Sequence, residues 1–385
     1  MNDREKNSQG YTYNRSNVQH SAQNVNRTPA PRPAPGARPP QRKKKKKLYF
    51  KPNKEGMQAL VILLLVAALI ITLLVLTIKG IANAIGGPEE TTTGESTTEQ
   101  TTAPPVLAKW YDDYVKQTVS TADVAAGDLI LVNFENKYDL TDSINSKLSA
   151  LYSTTGYGSY FVLKEADMKI RRDIMTNLRE MITDLVNASP SLGTTKEHDR
   201  VIIVSGYRST EYQQGLYDKQ VVDNYVAIPG HSEHHTGLAV DLKVFTAAQK
   251  TIEFRDDEQA WMEANCADYG FIVRYDGAKF ELTGILDETW HFRYVGKPHA
   301  QYMAENGLCL EEYLSLLSTS YNIETCEAPL TYTVGEGEEA TEYEIYYVPA
   351  SLDSITEIPV PKSDSVSDIS ISGDNLSGFI VTVTK

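Results

Sequence analysis

Three of the seven histidines fall within five residues of the segment Pro229-Gly-His-Ser-Glu-His-His-Thr-Gly-Leu-Ala-Val-Asp241. Imidazole nitrogen and carboxylate oxygen are both good ligands for zinc. A turn-prone loop that runs into a strand lets a histidine and Asp241 converge on one point, and Gly237 permits close backbone packing beside it. Spacing alone does not choose among His231, His234 and His235, and a solvated loop would also carry such residues. The segment Asp287-Glu-Thr-Trp-His-Phe-Arg-Tyr294 strengthens the metal reading. A catalytic zinc site needs three protein ligands, an open position for water and a base beside that water. Glu288 and His291 offer the base and the third ligand. The chain lacks H-E-x-x-H and G-x-S-x-G, so neither a zincin helix nor a serine nucleophile elbow is indicated.

Several elements must hold these groups. Asp128–Phe134 and Arg200–Ser205 are expected as buried strands. Asp167–Ala188 has helical periodicity, with Ile170, Ile174, Leu178, Met181, Ile182 and Leu185 at three- and four-residue steps. Ser209–Val226 reads as a second helix, in which Thr210 and Gln213 fit a capping box. Along Gly237–Val244, Leu238, Val240, Leu242 and Val244 point one way and Ala239, Asp241 and Lys243 the other, which would turn Asp241 outward. Trp290–Val295 is expected as a strand, with Glu288 curling back from the preceding turn. Mixed helices and strands without a regular βαβ repeat predict an α+β fold, a small mostly antiparallel sheet with flanking helices around the metal site. Residues 330–385 read as a small β-domain of their own.

Charge divides the chain. Of 37 basic and 51 acidic residues, 14 basic and 3 acidic lie in residues 1–56, a net +11 against −25 for the rest. The acidic bulk argues against a nucleic-acid partner. Met57–Ile78 is an uncharged run of 22 residues, about 33 Å as a helix, enough to span a bilayer core. Arg42, Lys43 to Lys47, Lys51 and Lys54 precede it, whereas Lys79 stands nearly alone after it. The positive-inside rule therefore predicts a single-pass plasma-membrane protein with a cytoplasmic N-terminus. A cleaved signal peptide, with Ala82-Asn83-Ala84 as its cleavage site, is the rival reading. Residues 1–56 read as a disordered basic leader and 79–106 as a Thr-rich extracellular stalk. Three cysteines exclude a disulfide-built scaffold and a four-Cys zinc site. A Cys309–Cys326 bridge and three free thiols both remain open.

The ordered residues Ser232-x-His234-x-x-Gly237-x-Ala239-x-Asp241 and Glu288-x-Trp290-His291-x-Arg293-Tyr294 closely resemble the VanY-like zinc D-alanyl-D-alanine carboxypeptidases. So do Ser205-Gly-Tyr-Arg-Ser-x-x-x-Gln213 upstream, Leu129–Asn133 and Tyr269–Ile272. The resemblance covers roughly residues 123–317, within a catalytic domain expected over 107–320. It implies that His234, Asp241 and His291 hold Zn2+, that Glu288 is the general base, and that Arg208 polarises the scissile carbonyl. Gln213, Ser232 and Trp290 would contact substrate. Thr289 stands where the family usually has Pro, and His235 where Gln is common. The implied activity removes the C-terminal D-alanine from peptidoglycan stem peptides, with D,D cleavage favoured. An L,D-carboxypeptidase and a non-catalytic, zinc-containing wall-binding module are the alternatives.

Overall fold

The computed structural model describes residues 109–139, 143–153, 160–220 and 226–385. The expected leader, the apolar run Met57–Ile78 and the stalk lie outside them. Among the described residues no helix is long and apolar enough to cross a membrane. In chain order the strands are β1 (Val115–Ser120), β2 (Leu148–Ala150), β3 (Phe161–Leu163), β4 (Lys169–Arg171), β5 (Arg200–Ser205), β6 (Ala239–Phe245) and β7 (Thr251–Ile252). They continue as β8 (Phe271–Tyr275), β9 (Glu288–Tyr294), β10 (Leu330–Val334), β11 (Thr341–Pro349), β12 (Ile355–Val360), β13 (Asp368–Gly373) and β14 (Gly378–Thr384). The helices are α1 (Ser143–Lys147), α2 (Met175–Ala188), α3 (Thr210–Tyr217), α4 (Asp256–Asn265), α5 (Phe280–Thr283), α6 (Lys297–Asn306) and α7 (Leu310–Ser320).

The sheet that matters runs β3-β5-β6-β9-β8, with β7 paired to β6. Only β3–β5 is parallel; the pairs along β5, β6, β9 and β8 are antiparallel, as the α+β expectation required. Strict alternation on β6 divides its residues. Val240, Leu242 and Val244 pack with Leu178, Met181, Ile182 and Leu185 of α2 in one core. Asp241 faces the other way but is not outward: it is only 5% exposed, because the opposite face of β6 is also covered. Register then does the positioning. Asp241 lies opposite Ser205 on one side and His291 on the other, so three adjacent strands deliver polar side chains at one level.

Two irregularities refine that level. Between Ile203 and Ser205, β5 advances two residues while β6 advances one. Between the pairs Val273–Phe292 and Tyr275–Glu288, β8 advances two residues while β9 advances four. The extra residues of β9 break its alternation, so Glu288 and His291 meet on the same side although three residues apart. Glu288 therefore belongs to the strand, and the expected curl from the preceding turn is replaced by a bulge.

Other expectations are corrected. Asp128–Phe134 is not a strand. Leu129–Asn133 is buried, but its backbone is satisfied otherwise: Leu131 N donates to Asp374 O (2.9 Å) and Leu129 N to Ser372 Oγ (2.9 Å). A short apolar run records burial, not the backbone shape that achieves it. The helix expected from Asp167 begins at Met175. Lys169–Arg171 pairs with β2, and Arg172–Ile174 forms a 3-10 turn. Ile170 and Ile174 are both fully buried, which gave the strand and turn a helix-like spacing. The helix from Ser209 ends at Tyr217, and its cap is Ser209, whose Oγ accepts from Tyr212 N (3.2 Å), rather than the Thr210–Gln213 box. Cys266, Cys309 and Cys326 are free thiols.

The C-terminal strands form an antiparallel sheet, β10-β11-β14-β13, while β12 pairs with β1. Both faces of this sheet are buried. Leu330, Ile345, Tyr347 and Ile380 pack with Leu310, Leu314 and Leu317 of α7. Tyr346, Val348, Phe379 and Val381 pack with Ile358 and Val360, and with Trp110 and Tyr114 before β1.

Candidate active site

His234 sits on a 3-10 turn, Glu233–Thr236, that Gly237 closes with φ +69°. A Cβ at Gly237 would stand 2.8 Å from a Leu148 methyl and 3.2 Å from Arg171 N, so both the φ and the close approach require glycine. The turn aims His234 at Asp241. His234 Nε2 lies 3.2 Å from Asp241 Oδ1, and His291 Nδ1 lies 3.1 Å from the same oxygen. The two imidazoles meet edge to face, with centroids 4.8 Å apart. One ligand atom from each of the three residues falls within 4.8 Å of the others, and all three residues are buried. The neighbouring histidines are otherwise engaged. His235 accepts from Gly230 N at Nε2 (3.0 Å) and donates to Arg208 O at Nδ1 (2.7 Å). His231 donates to Asn133 O (2.8 Å).

The donor set fits zinc. A tetrahedral ion with bonds of about 2.0–2.1 Å separates its ligand atoms by about 3.3 Å. The two contacts to Asp241 Oδ1 are close to that spacing. His234 Nε2 is buried and has no hydrogen-bond partner, an arrangement that costs stability unless something accepts its lone pair. Its other nitrogen donates to Gly206 O (2.7 Å), fixing the tautomer that leaves Nε2 free to ligate. Burial, and then Arg208, lower His234 to about 4, so it is neutral at pH 7, as a ligand must be. Burial alone would raise Asp241, but His234 and Arg208 outweigh it and hold the carboxyl well below its ordinary range.

Behind His291 stands a group that sequence reading missed. Glu233 is fully buried. Its Oε2 accepts from His291 Nε2 (3.3 Å), while Oε1 accepts from Arg274 Nε (2.7 Å) and Arg293 Nη1 (2.8 Å). Arg274 also grips Glu311 of α7 through both Nη atoms (2.7 and 3.0 Å), and Arg293 Nη2 donates to Asp128 O and Ile130 O (2.8 and 2.9 Å). Burial opposes ionisation of Glu233, yet the two guanidiniums win and lower its pKa. Burial would likewise lower His291, but hydrogen bonds to Asp241 and Glu233 raise it to about 9, so a metal binding at Nδ1 would displace a proton. Arg293, quoted in the second motif, thus pairs with a carboxylate. A signal was present in the apolar strands Phe-Ile-Val-Arg274-Tyr and His-Phe-Arg293-Tyr, whose buried charges need a counter-charge.

In front, the residues open onto a cavity of about 210 Å³ lined by Arg208, Gln213, Ser232, Glu288 and Trp290, among others. Glu288 Oε2 is 3.8 Å from His291 Nδ1, and burial pushes Glu288 up to about 7. Arg208 donates to Asp241 Oδ2 (2.6 Å), Ser205 Oγ (2.8 Å) and Gln213 Oε1 (3.4 Å). Three of its five N–H donors are thus occupied. Gln213 also donates to Ala227 O (2.7 Å), so both ends of its amide are engaged with the protein. That makes Gln213 a brace for Arg208. Ser232 is buried at the cavity wall. Trp290 lies at the cavity with Lys243 Nζ 4.3 Å from its ring centroid, and Tyr275 stacks obliquely on His291 with centroids 4.8 Å apart. Sequence reading singled out neither Tyr275 nor Lys243 for the site.

Known proteins similar to this chain include carboxypeptidases and dipeptidases acting on D-Ala-D-Ala. Residues 168–297 match the VanY family, described as D-alanyl-D-alanine carboxypeptidase. A D-alanyl-D-alanine carboxypeptidase of Enterococcus faecium is 32% identical over 273 residues, which cover 70% of this chain and 78% of that protein. The bifunctional D-Ala-D-Ala dipeptidase and carboxypeptidase VanXYC of Enterococcus gallinarum is 39% identical over 128 residues, 30% of this chain and 67% of that one. Among solved structures, the vancomycin-resistance D,D-dipeptidase VanXYg, in complex with a D-Ala-D-Ala phosphinate analogue, is 31% identical with a TM-score of 0.54. That alignment covers 70% of this chain and 99% of VanXYg.

Proposed function

The chain belongs to the VanY D-alanyl-D-alanine carboxypeptidase family, and from that premise we propose that it is a zinc-dependent D,D-carboxypeptidase that removes the terminal D-alanine of peptidoglycan stem peptides. The observation that carries this reading is the convergence of His234, Asp241 and His291 beside Glu288, all lining one small cavity. At about 210 Å³ the cavity is smaller than the roughly 300–1,000 Å³ of sites for drug-sized ligands, which suits a short peptide end.

His234, Asp241 and His291 would hold the metal, leaving a fourth position open. Zinc, when bound, lowers the pKa of water to about 7 and polarises a carbonyl. Glu288 borders the ligands, and burial brings its proton affinity close to neutral pH. It accepts a proton from the attacking water and passes it to the departing amine of D-alanine. Arg208 keeps Asp241 in place and has two N–H donors left for a substrate oxygen on which negative charge develops. Gln213 fixes the guanidinium from behind. Ser232 is placed at the wall to donate to the terminal carboxylate, and Trp290 offers an apolar surface to the acyl side.

We place the catalytic part outside the plasma membrane, tethered by one span at Met57–Ile78 with the N-terminus in the cytoplasm. The lysine asymmetry around that segment supports the orientation, and the Thr-rich stretch after it would give the enzyme reach toward the wall. Mass spectrometry of defined muropeptides tests the activity. Loss of one D-alanine from a pentapeptide stem ending D-Ala-D-Ala, abolished by a zinc chelator and insensitive to β-lactams, is the expected result. Trimming of the tetrapeptide stem alone would overturn D,D specificity, and equal cleavage of C-terminally amidated stems would overturn the carboxypeptidase reading.

A further inference from the structure

Glu233 lies between two residues that the sequence motif singles out, yet it neither lines the cavity nor belongs to the metal-ligand cluster. Its side chain is completely buried, and each of its oxygens has a separate task. Oε2 faces His291 Nε2 at 3.3 Å, on the side of the ring opposite Nδ1, which faces Asp241. Oε1 is shared by two arginines that are themselves 0% exposed at the side chain, Arg274 at 2.7 Å and Arg293 at 2.8 Å. Such an arrangement is costly to build. Two guanidiniums and two carboxylates, Glu233 and Glu311, have been taken out of water, and apolar replacements would often be as stable. Stability alone is therefore a weak reason for the cluster.

The geometry supplies another. A ligating imidazole can turn about its Cβ–Cγ bond and can carry its proton on either nitrogen. An acceptor fixed at Nε2 sets both: the proton stays on Nε2, and Nδ1 is the nitrogen left to offer its lone pair to an ion that Asp241 Oδ1 would also hold. His234 is served by a neutral backbone carbonyl, Gly206 O. His291 is served by a full negative charge that can move only if two buried arginines move with it. Arg293 is tied to the Asp128 and Ile130 carbonyls, and Arg274 to Glu311 on α7, so the acceptor is anchored to two further elements. The β9 bulge makes this useful. A strand whose alternation is interrupted at Thr289–His291 does not by itself dictate the direction of the His291 ring.

We propose that Glu233 is a positioning residue for the metal centre: held by Arg274 and Arg293, it fixes the tautomer and orientation of His291. The proposal rests on the zinc reading given above. Loss of a hydrogen-bonded carboxylate behind a metal-bound histidine lowers metal affinity by about 10–100-fold. Glu233→Gln in the full chain should show that loss in a zinc titration against a chromophoric chelator. It should also shift the visible spectrum of the Co2+-substituted protein, because the ligand field at the ion changes. A purely structural role would lower the melting temperature of the metal-free protein but leave zinc affinity and the Co2+ spectrum unmoved.

Glu233→Gln leaves two buried guanidiniums with less negative charge, so it is paired with the double variant Glu233→Gln/Arg293→Met, which restores the net charge and keeps Arg274 on Glu311. The double variant should fold and still bind zinc more weakly than the wild type. Glu233→Asp should recover part of the affinity. Wild-type zinc affinity and an unchanged Co2+ spectrum in the double variant overturn the positioning role while leaving the zinc enzyme intact. A wild-type chain that takes up no zinc overturns the metal reading and this inference with it.

Discussion

On either side of His291 stands a buried glutamate, and burial has had opposite outcomes for the two. Behind the ring, Glu233 is clasped by Arg274 and Arg293 and its pKa is lowered. In front, Glu288 has no partner of comparable strength, and burial lifts it to about 7. The residue type is the same and the exposures are similar, at 1% and 9%. Neighbours decide the chemistry: two guanidiniums bonded to the carboxylate make a fixed charge, and weaker opposing charges leave burial to make a proton acceptor poised near neutrality. The rear of the site is built to stay put and the front to exchange protons.

The strongest way to break this contrast is to remove each glutamate's special property. Glu288→Gln should lower kcat/KM on a D-Ala-D-Ala stem by about 10²–10⁴-fold while bound zinc remains near one per chain, since the base is not a ligand. Steady-state kinetics and metal analysis on the same preparation check both halves. Near-normal turnover would show that the front glutamate is not the base. His234→Ala, by contrast, should lose metal and activity together.

The rear wall should answer in stability instead. Arg293→Met leaves the Asp128 and Ile130 carbonyls without their donor and removes one of the two cations on Glu233. Breaking a buried pair from one side typically costs about 3–5 kcal/mol, readable as a lower midpoint in chemical denaturation. An unchanged midpoint would mean that the clamp contributes no rigidity. A smaller effect is expected from zinc itself. A ligand that binds only the folded chain adds about 2.7 kcal/mol at 100 times its dissociation constant. A chelator should therefore lower the melting temperature of the wild type and leave that of His234→Ala unmoved.

Much of the front was legible in the chain because it is carried by spacing. Ser232, His234, Asp241 and His291 lie in compact motifs, and the alternation of Val240, Leu242 and Val244 on β6 follows directly from the pleat. What stayed hidden depends on partners far away in sequence. The carboxylate of Asp241 was expected to be exposed because a strand records two faces without saying whether the second is covered. Glu288 was expected on a turn because a bulge is a property of paired strands, and one strand's sequence does not announce it. Leu129–Asn133 was expected as a strand because its pairing comes from Asp374 and Ser372, some 240 residues later. Glu233 was read as a spacer between Ser232 and His234. Only when Arg274 and Arg293 arrive on β8 and β9 does it become the counter-charge of the rear wall.

The finest test of the contrast concerns Lys243, a cation that acts on the front glutamate more weakly than His291 and Arg208. Lys243 lies on β6 two residues beyond Asp241, with its Nζ against the Trp290 ring and 2.5 Å from Glu253. Its charge lowers Glu288, though less than burial raises it. Glu288 must be ionised to accept a proton, so the fraction of competent enzyme rises with pH through its pKa. Lys243→Met removes a positive charge, and the pKa of Glu288 should move further upward. The acid limb of the kcat/KM profile should therefore shift to higher pH, while the rate on the alkaline side of that limb stays at the wild-type value. A charge interaction of about 0.5 kcal/mol at a partly solvated site corresponds to on the order of a two- to threefold loss at pH 6. Added salt screens the wild-type interaction, so the gap between the two proteins should narrow as ionic strength rises. An acid limb that does not move, or moves the other way, would show that the Lys243 charge does not reach the front glutamate and leave burial, His291, Asp241 and Arg208 to poise it.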